Sequence, residues 1–322
     1  MDSILKGSLY TAAAAIIWGG APIVEKAAMD YVNPVVMGAW RYFIAGFMIF
    51  VYLRSRRVNM DISRLAGRRL FLASVLGAAL LPALFYTGLF LTDPITASSI
   101  SNIGVVWVGL FGMVFLKEKI RADELAGTLL VVIGVWIMLN KISFGSSVGA
   151  FMLIAASIVG AAAAVMERKS LLTVNPWIVS LYDRLVGGSV SLIASLFFVG
   201  SGAVLLSAQA WSYLLFLAVF ASLIPALLFF YGLRLIEAER SAAILSTAPL
   251  FTVIFTSVFT NSSVTQNQFA GAVIIVAGVL ILSASRKLIT TMKHYTAIAI
   301  NHEVNSVKKL RYIFSTVEGK DS

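Results

Sequence analysis

The side chains in this sequence that are best suited to chemistry are charged residues inside long apolar stretches. Glu25 and Arg41 lie in two successive stretches of this kind, and Glu167 and Arg184 recur in the same arrangement further along the chain. A charge in apolar surroundings is costly unless it is paired or serves a function. We therefore expect Glu25–Arg41 and Glu167–Arg184 to be ion pairs that join neighbouring helices, so that removing one partner costs about 3–5 kcal/mol. The alternatives for Arg41 are bidentate hydrogen bonding to the carboxylate of a bound molecule and extension of the side chain toward polar surroundings.

A second set of residues could contact a small organic molecule without carrying any charge. Aromatic rings stack on apolar molecules, and a buried Asn or Ser needs a partner on another helix or in a water-filled cavity. Packing between helices is the alternative role for each of them, and Asn102 is the preferred polar contact. The predicted contact residues are Trp18, Tyr86, Trp107 and Phe230 among the aromatic residues, and Asn102, Ser98 and Ser246 among the polar ones.

Four prolines fall inside apolar stretches, where each removes one backbone hydrogen bond and bends its helix. They are Pro22, Pro82, Pro225 and Pro249. Bent helices are places where a membrane protein can hinge. These residues are therefore candidates for gating, and static kinks are the alternative.

The usual signatures of an enzyme are missing from this sequence. The two histidines, His294 and His302, lie close to the C-terminus, and the chain has no cysteine. Neither a His-Glu-x-x-His motif nor a phosphate-binding Gly-x-x-x-x-Gly-Lys motif is present. We expect no catalytic residues, no metal, no cofactor and no direct use of ATP.

The elements that hold these residues are predicted to be membrane-spanning helices. Hydrophobic residues make up 59% of the chain and charged residues 12%, whereas a soluble domain carries about 25% charged residues. Apolar stretches of roughly 20 residues, each long enough to cross a bilayer as a helix, recur along the chain. The sequence predicts an all-α membrane protein with ten transmembrane helices, at about 7–28, 34–53, 70–91, 96–116, 122–140, 147–166, 177–200, 211–233, 241–260 and 267–285.

The sequence repeats itself once. Residues 7–46 align on 149–188, and residues 77–139 align on 221–283. Each repeat holds five predicted spans, and because five is odd, the second repeat must enter the membrane from the opposite side. We therefore expect two inverted five-helix repeats, at 1–142 and 143–285, followed by a basic tail at 286–322.

The distribution of basic residues predicts the orientation. Most of the 25 Lys and Arg residues fall in loops on the side of the N-terminus, and such an excess marks the cytoplasmic side. We expect a multi-pass protein of the plasma membrane with both termini in the cytoplasm. The net charge of +10 is then a property of the topology, and nucleic acid is not expected as a partner.

Motifs in both repeats resemble one family. They are Thr96-Ala97-Ser98-Ser99 and Phe115-Leu116-Lys117-Glu118-Lys119, with Gly127 and Gly134 after them, and Ser241-Ala242-Ala243-Ile244 and Pro249-Leu250, with Gly271 and Gly278 after them. In their order across about 7–285, these residues resemble the EamA-type permeases of the drug/metabolite transporter superfamily. The sequence departs from the pattern at Val105, where the second repeat has Pro249, and at Asn261-Ser262-Ser263, where the first repeat has Lys117-Glu118-Lys119.

The resemblance implies a transporter that exports or exchanges small metabolites, often amino acids, between its two halves. The expected pathway is lined by spans 1–4 and 6–9. Proton coupling requires a titratable group in the path, and since only Asp183 is moderately deep, facilitated diffusion or exchange is favoured over proton antiport.

Other functions and assemblies remain open at this point. A nucleotide-sugar or drug transporter of the same superfamily is the main alternative, and a membrane sensor or scaffold without transport is the other. The glycines seven residues apart in spans 5 and 10 predict close packing within each half, or a homodimer interface. The protein is therefore expected as a monomer or homodimer that contacts lipid and a small-molecule substrate.

Overall fold

The computed structural model describes residues 3–116, 122–138, 147–259, 265–267, 269–275, 277–278 and 281. These residues are helical almost throughout and include no strand. The helices are α1 (Ser3–Ala28), α2 (Pro34–Ser55), α3 (Arg64–Phe90), α4 (Pro94–Phe115), α5 (Ala122–Met138), α6 (Ser147–Leu171), α7 (Pro176–Val199), α8 (Ala208–Leu235) and α9 (Ala238–Leu245 and Ala248–Phe259).

Seven of these helices, α1–α4 and α6–α8, are long and apolar enough to cross a membrane. The stretches Leu125–Ile137 in α5 and Ala248–Phe259 in α9 are apolar but shorter. Each of the first nine predicted spans falls on one helix. The tenth, the tail at 286–322 and the loop motifs at 117–119 and 261–263 lie partly or wholly outside the described residues, so the number ten stays a prediction.

The surface of the helices is suited to lipid. Large apolar side chains are strongly exposed, and Phe198 is 86% exposed. Soluble proteins rarely expose contiguous apolar surface on this scale. Together with the helix lengths, this surface establishes a multi-pass membrane protein.

Equivalent sequence signals start the second helix of each repeat. Asn33 accepts a hydrogen bond from Val35 N at the start of α2, and Asn175 accepts one from Trp177 N at the start of α7, both at 3.0 Å. The prolines that follow, Pro34 and Pro176, occupy the first turn, where a missing N–H costs nothing. The repeated Asn-Pro dipeptide thus sets the same helix start in both halves.

Several helices depart from regular α geometry at mid-length. Segments of π-helix occupy Val75–Leu80 in α3, Tyr182–Gly187 in α7 and Leu217–Leu223 in α8. The predicted kink residues Pro82 and Pro225 follow two of these segments directly, as expected where a proline interrupts the backbone bonds. π-helical turns are frequent at functional sites.

Two helices are broken at equivalent positions of the repeat. α4 has a turn at 102–103 and α9 has a turn at 246–247, which correspond under the shift of 144 residues. Pro249 follows the break in α9, whereas α1 continues as α-helix through Pro22. Discontinuous helices of this kind line the substrate sites of many transporters.

The two repeats pack against each other through equivalent glycine pairs. A Cβ on Gly232 in α8 would lie 2.9 Å from the carbonyl oxygen of Gly7 in α1, and a Cβ on Gly88 in α3 would lie 3.0 Å from that of Gly149 in α6. The start of α1 therefore meets the end of α8, and the start of α6 meets the end of α3. α3 is the third helix to cross, so it ends on the side opposite to the start of α1. Since α6 begins beside the end of α3, it begins on that opposite side, and the repeats are inverted.

The glycines of the fifth and tenth predicted spans join the two halves to each other. A Cβ on Gly134 would lie 2.7 Å from the carbonyl oxygen of Gly271, and one on Gly278 would lie 2.7 Å from that of Gly127. The sequence analysis predicted that these glycines pack each span against its own half or against a second molecule. The structure shows instead that small residues let the two spans cross at close range.

Candidate functional site

A cavity of about 350 Å³ lies between the two repeats. Residues from α1–α4 of the first repeat and from α6–α9 of the second line it, so both halves form its wall. Seven of the predicted contact residues line this cavity: Trp18, Arg41, Tyr86, Ser98, Asn102, Phe230 and Ser246. Trp107 does not; it packs into an apolar cluster around Phe230 and Val108.

Arg41 in α2 is the centre of a buried polar cluster that joins the halves. All three of its nitrogens donate hydrogen bonds: Nη1 to Glu25 Oε1 in an ion pair, Nε to Ser222 Oγ at 2.8 Å and Nη2 to the carbonyl oxygen of Ala221 at 2.6 Å. Arg41 is 1% exposed and Glu25 3% exposed. The guanidinium therefore binds α1 and α8 through three of its five N–H groups, and the second oxygen of Glu25 has no hydrogen-bond partner.

Pro225 explains why a backbone carbonyl of α8 is available to Arg41. In a regular helix the oxygen of Ala221 would accept from the N–H four residues later, and that residue is Pro225, which has none. The freed oxygen accepts from Arg41 Nη2 and also from Trp18 Nε1, at 3.1 Å. The proline thereby lets one side chain from α1 and one from α2 bind α8.

The second repeat forms a different cluster at the equivalent place. Arg184 Nε lies 3.4 Å from Asp183 Oδ2, its neighbour in the sequence, and Glu167 faces Asp183. The expected Glu167–Arg184 ion pair is therefore replaced by a group of two carboxyls and one guanidinium. The physical reason is the repeat register: the shift of 142 residues places Asp183, not Arg184, at the position of Arg41.

Polar residues at the helix breaks bond mainly to their own helices. Asn102 Nδ2 donates to the carbonyl oxygen of Ser98 at 2.6 Å, and Ser246 Oγ donates to that of Ala242 at 2.9 Å. Ser98 Oγ in turn accepts from Thr252 Oγ1 at 3.0 Å, which links α4 to α9. These side chains put hydrogen-bonding groups at the cavity wall in both halves.

Aromatic rings form much of the remaining wall. The ring centroids of Trp18 and Phe229 are 5.5 Å apart, and those of Phe85 and Tyr86 are 5.4 Å apart. Phe85, Phe229 and Tyr42 line the cavity but were missed among the candidates. The repeat could have identified the first two, because Phe85 aligns with Phe229 and both halves meet at this cavity.

The cavity does not extend equally toward the two ends of the helices. At the end where α6 finishes, called here the Arg168 end, its lining includes Leu233 and Ala238, which lie next to the α8–α9 connection. At the opposite end, called the Lys26 end, ring pairs Trp40–Trp211 and Tyr31–Tyr213 join the halves, with centroids 5.0 Å and 5.6 Å apart. Rings also join the halves at the Arg168 end, where Tyr52 of α2 stacks on Trp177 of α7 with centroids 4.7 Å apart. The two ends differ in the lining, which includes Leu233 and Ala238 but not their repeat equivalents Leu89 and Pro94, so the cavity reaches further toward the Arg168 end.

A lysine adds further contacts at the Lys26 end. Lys26 Nζ donates to the carbonyl oxygens of Leu89, Phe90 and Thr92 at 2.7–2.8 Å, which binds the end of α1 to the end of α3. Its repeat equivalent, Arg168, donates from Nη1 to the carbonyl oxygen of Arg234 at 3.3 Å. Cations suit these sites because helix C-termini carry partial negative charge.

Within the described part of the chain, no group of three or more His, Asp or Glu residues could hold a metal ion. The charged side chains around the cavity are three carboxyls and two guanidinium groups, at Glu25, Arg41, Glu167, Asp183 and Arg184. Their arrangement suits ion pairing, proton binding and contact with a polar solute.

An inverted pair of helical repeats around a partly polar cavity with broken helices defines a class of membrane transporters. The model of the EamA-like transporter family matches this chain twice, at residues 5–140 and 147–284. The chain therefore belongs to the EamA-like transporter family, within the drug/metabolite transporter superfamily.

Relatives and a solved structure agree with this placement. An uncharacterized transporter of Methanothermobacter thermautotrophicus is 24% identical over 86% of both chains. The uncharacterized transporter YvbV of Bacillus subtilis is 26% identical over 87% of this chain and 92% of its own. A solved crystal structure, 16% identical, has a TM-score of 0.71 over 86% of this chain and 96% of that chain, which shows the same fold.

Proposed function

We propose that this transporter moves an amino acid, or a closely related small metabolite, out of the cell through the cavity between its repeats. The observation that supports this most strongly is the cavity itself, which both repeats line and which reaches further toward the Arg168 end than toward the Lys26 end. Relative movement of the two inverted halves would open it to each side in turn. No catalytic step is part of the proposal, and one chain supplies the whole cavity, in a monomer or in each half of a homodimer.

The size and polarity of the cavity favour a small, partly apolar solute. Its volume of about 350 Å³ is near the lower end of the roughly 300–1,000 Å³ that ligand pockets span. Aromatic rings at Trp18, Phe85 and Phe229 suit an apolar side chain, and Asn102 and Ser246 are the proposed polar contacts. A nucleotide-sugar is larger and would require a more basic cavity.

The polar atoms with no partner indicate how an amino acid would be held. Arg41 already donates from all three of its nitrogens, so in this conformation it serves the contact between the halves rather than a solute carboxylate. The buried Oε2 of Glu25, in contrast, has no hydrogen-bond partner and lines the cavity. We assign it the role of acceptor for the ammonium group of the solute.

The proposed direction follows from the end toward which the cavity reaches further. The Arg168 end, toward which the cavity extends, is also the side of the N-terminus and of most loop Lys and Arg residues, which marks the cytoplasm. A cavity that takes up its solute from that side suits export. Both termini in the cytoplasm and a location in the plasma membrane belong to this proposal.

A transport assay tests the proposal without knowledge of the solute. The purified protein is reconstituted into liposomes loaded with a mixture of the standard amino acids, and their efflux is followed by mass spectrometry. We expect at least one of them to leave faster than from protein-free liposomes. The variant Gly104→Trp, which fills the cavity from a position whose Cβ has ordinary contacts only, should abolish that flux.

The matched control is Gly67→Trp, which adds the same side chain outside the cavity, again at a glycine with ordinary contacts. It should transport like the unaltered protein. Equal efflux of every amino acid from liposomes with and without the protein would contradict the proposal and favour a sensor or scaffold. In liposomes loaded with a larger drug-like solute as well, flux of that solute alone would favour the alternative, a drug transporter of the same superfamily.

A further inference from the structure

We propose that Glu167 and Asp183 together form a binding site for one proton, which is exchanged for the solute during transport. This inference rests on the proposed function for its coupling step, whereas proton binding by the pair stands on the structure of the site. It replaces the sequence-based preference for facilitated diffusion, which rested on Asp183 as a single carboxylate.

The first argument is the position of the two carboxyls. A Cβ placed on Gly77 of α3 would lie 3.2 Å from Asp183 Oδ1 and 3.4 Å from Glu167 Oε1. Both acidic side chains therefore lie against the same glycine, and they also face each other. Both are about 95% buried and line the cavity. Two carboxylates in such contact repel each other strongly, and a single proton bound between them removes the repulsion.

The second argument is an acceptor without a donor. Asp183 Oδ1 is buried and has no hydrogen-bond partner, and a buried polar atom of this kind is costly. A protonated Glu167 would supply the missing donor, because its carboxyl O–H would point at a neighbouring carboxylate oxygen. One proton thus satisfies both side chains at once.

The third argument is the charge balance of the cavity. Its charged side chains in the described structure are three carboxyls and two guanidinium groups. Glu25 is neutralised by Arg41, and Arg184 can neutralise only one of Glu167 and Asp183. The remaining carboxyl has no cation, so a proton is the simplest way to complete the balance in a medium that disfavours net charge.

The surrounding helices present few other groups that could titrate with the pair. α7 contributes Arg184, whose guanidinium lies 4.3 Å from the ring centroid of Tyr42 in α2. α3 approaches through Gly77 and the backbone of Ser74, and Arg41 and Glu25 lie elsewhere on the cavity wall. The π-helical turn at Tyr182–Gly187 brings both Asp183 and Arg184 inward, which a regular helix does less readily for successive residues.

The proposed cycle is balanced in protons. While the pair is accessible from the side opposite the cytoplasm, one proton binds to Glu167. The protonated carboxyl then donates a hydrogen bond to Asp183. After the halves rearrange so that the pair is accessible from the cytoplasm, the proton leaves, and both carboxylates are then ionised beside Arg184. An ammonium-bearing solute then binds more favourably, because the cavity has gained one negative charge.

Infrared spectroscopy tests proton binding without any transport. The purified whole protein is titrated from acidic to basic pH, and the band of protonated carboxyl groups is followed, with D2O to identify it. We expect a titrating band in the unaltered protein that Asp183→Asn and Glu167→Gln each remove. Asp93→Asn is the matched control, because Asp93 caps the start of α4 outside the cavity and Asn caps equally well; it should keep the band.

Transport tests the coupling. In liposomes with the amino-acid mixture, a pH gradient should increase efflux several-fold in the unaltered protein and in Asp93→Asn, but not in either pair variant, and a sodium gradient should have no effect. Identical infrared titrations of all four proteins would overturn the proton site. Efflux that is independent of the pH gradient, or that depends on the sodium gradient instead, would overturn the coupling. A complete lack of amino-acid flux would contradict the proposed function. The infrared titration would then still test proton binding by the pair.

Discussion

At the scale of residues, the two repeats use equivalent positions for opposite charges. Position 41 carries a guanidinium that binds Glu25 and the free carbonyl of Ala221, whereas its equivalent, Asp183, faces Glu167. The sequence was sufficient to place acidic and basic side chains on neighbouring helices. It could not show that Arg184 would pair with the adjacent Asp183, because that depends on the π-helical turn that brings both inward.

The role of Arg41 can be separated from solute binding by stability measurements. Arg41→Ala leaves the carboxylate of Glu25 buried without a cation, so it should lower the stability of the solute-free protein by about 3–5 kcal/mol. Arg41→Lys keeps the charge but loses the planar set of donors. Its stability should lie between those of the unaltered protein and Arg41→Ala. Thermal unfolding in detergent measures both effects.

The exchange of charges provides the control for this prediction. Glu25→Arg combined with Arg41→Glu should recover part of the loss, because the ion pair is restored while the bonds to α8 are not. An Arg41→Ala protein as stable as the unaltered one, which no longer binds amino acids, would show that Arg41 serves the solute instead.

At the scale of elements, contacts between backbones hold the helices of the two halves together. A Cβ on Gly46 in α2 would overlap the backbone nitrogen of Leu185 in α7, and one on Gly188 in α7 would overlap that of Phe43 in α2. The sequence predicted the helices from the length of the apolar stretches and the repeat from the alignment of the two halves. It did not predict which helices touch, because small residues are common on many faces of membrane helices.

A substitution at this crossing should destabilise the protein through overpacking. Gly46→Ala and Gly188→Ala should each cost about 1–3 kcal/mol or more, because backbone rather than a flexible side chain lies in the way. Gly67→Ala is the control, since its nearest neighbour, Ile62 Cδ1, would be 3.6 Å away. Comparable melting temperatures for all three variants would contradict the close approach of α2 and α7.

At the scale of the whole molecule, the inversion of the repeats is the property from which transport follows. Ring pairs join the halves at both ends, yet the cavity reaches further toward the Arg168 end. The sequence predicted this inversion from an odd number of spans. It could not indicate toward which end the cavity reaches further, because the two arrangements differ in packing and not in composition.

The orientation in the membrane can be measured in this cysteine-free chain. Ser207 caps the start of α8 at the Lys26 end, and Ser63 caps the start of α3 at the Arg168 end. A cysteine at position 207 should react with an impermeant maleimide on intact cells, whereas one at position 63 should react only after permeabilisation. The reverse pattern would place the termini outside the cytoplasm.

The central claim, that solute crosses because the two halves alternate around the cavity, is tested most directly by linking the two halves at the Lys26 end. Cysteines in place of Tyr31 and Tyr213, whose rings stack across the halves, are joined by a bis-maleimide linker that contains a reducible disulfide. The control pair replaces Phe216 and Phe220, which lie on one face of α8. We predict that amino-acid efflux from liposomes stops when positions 31 and 213 are linked, returns on reduction of the linker, and is unaffected by linkage within α8. Undiminished efflux through the linked 31–213 protein would contradict the account.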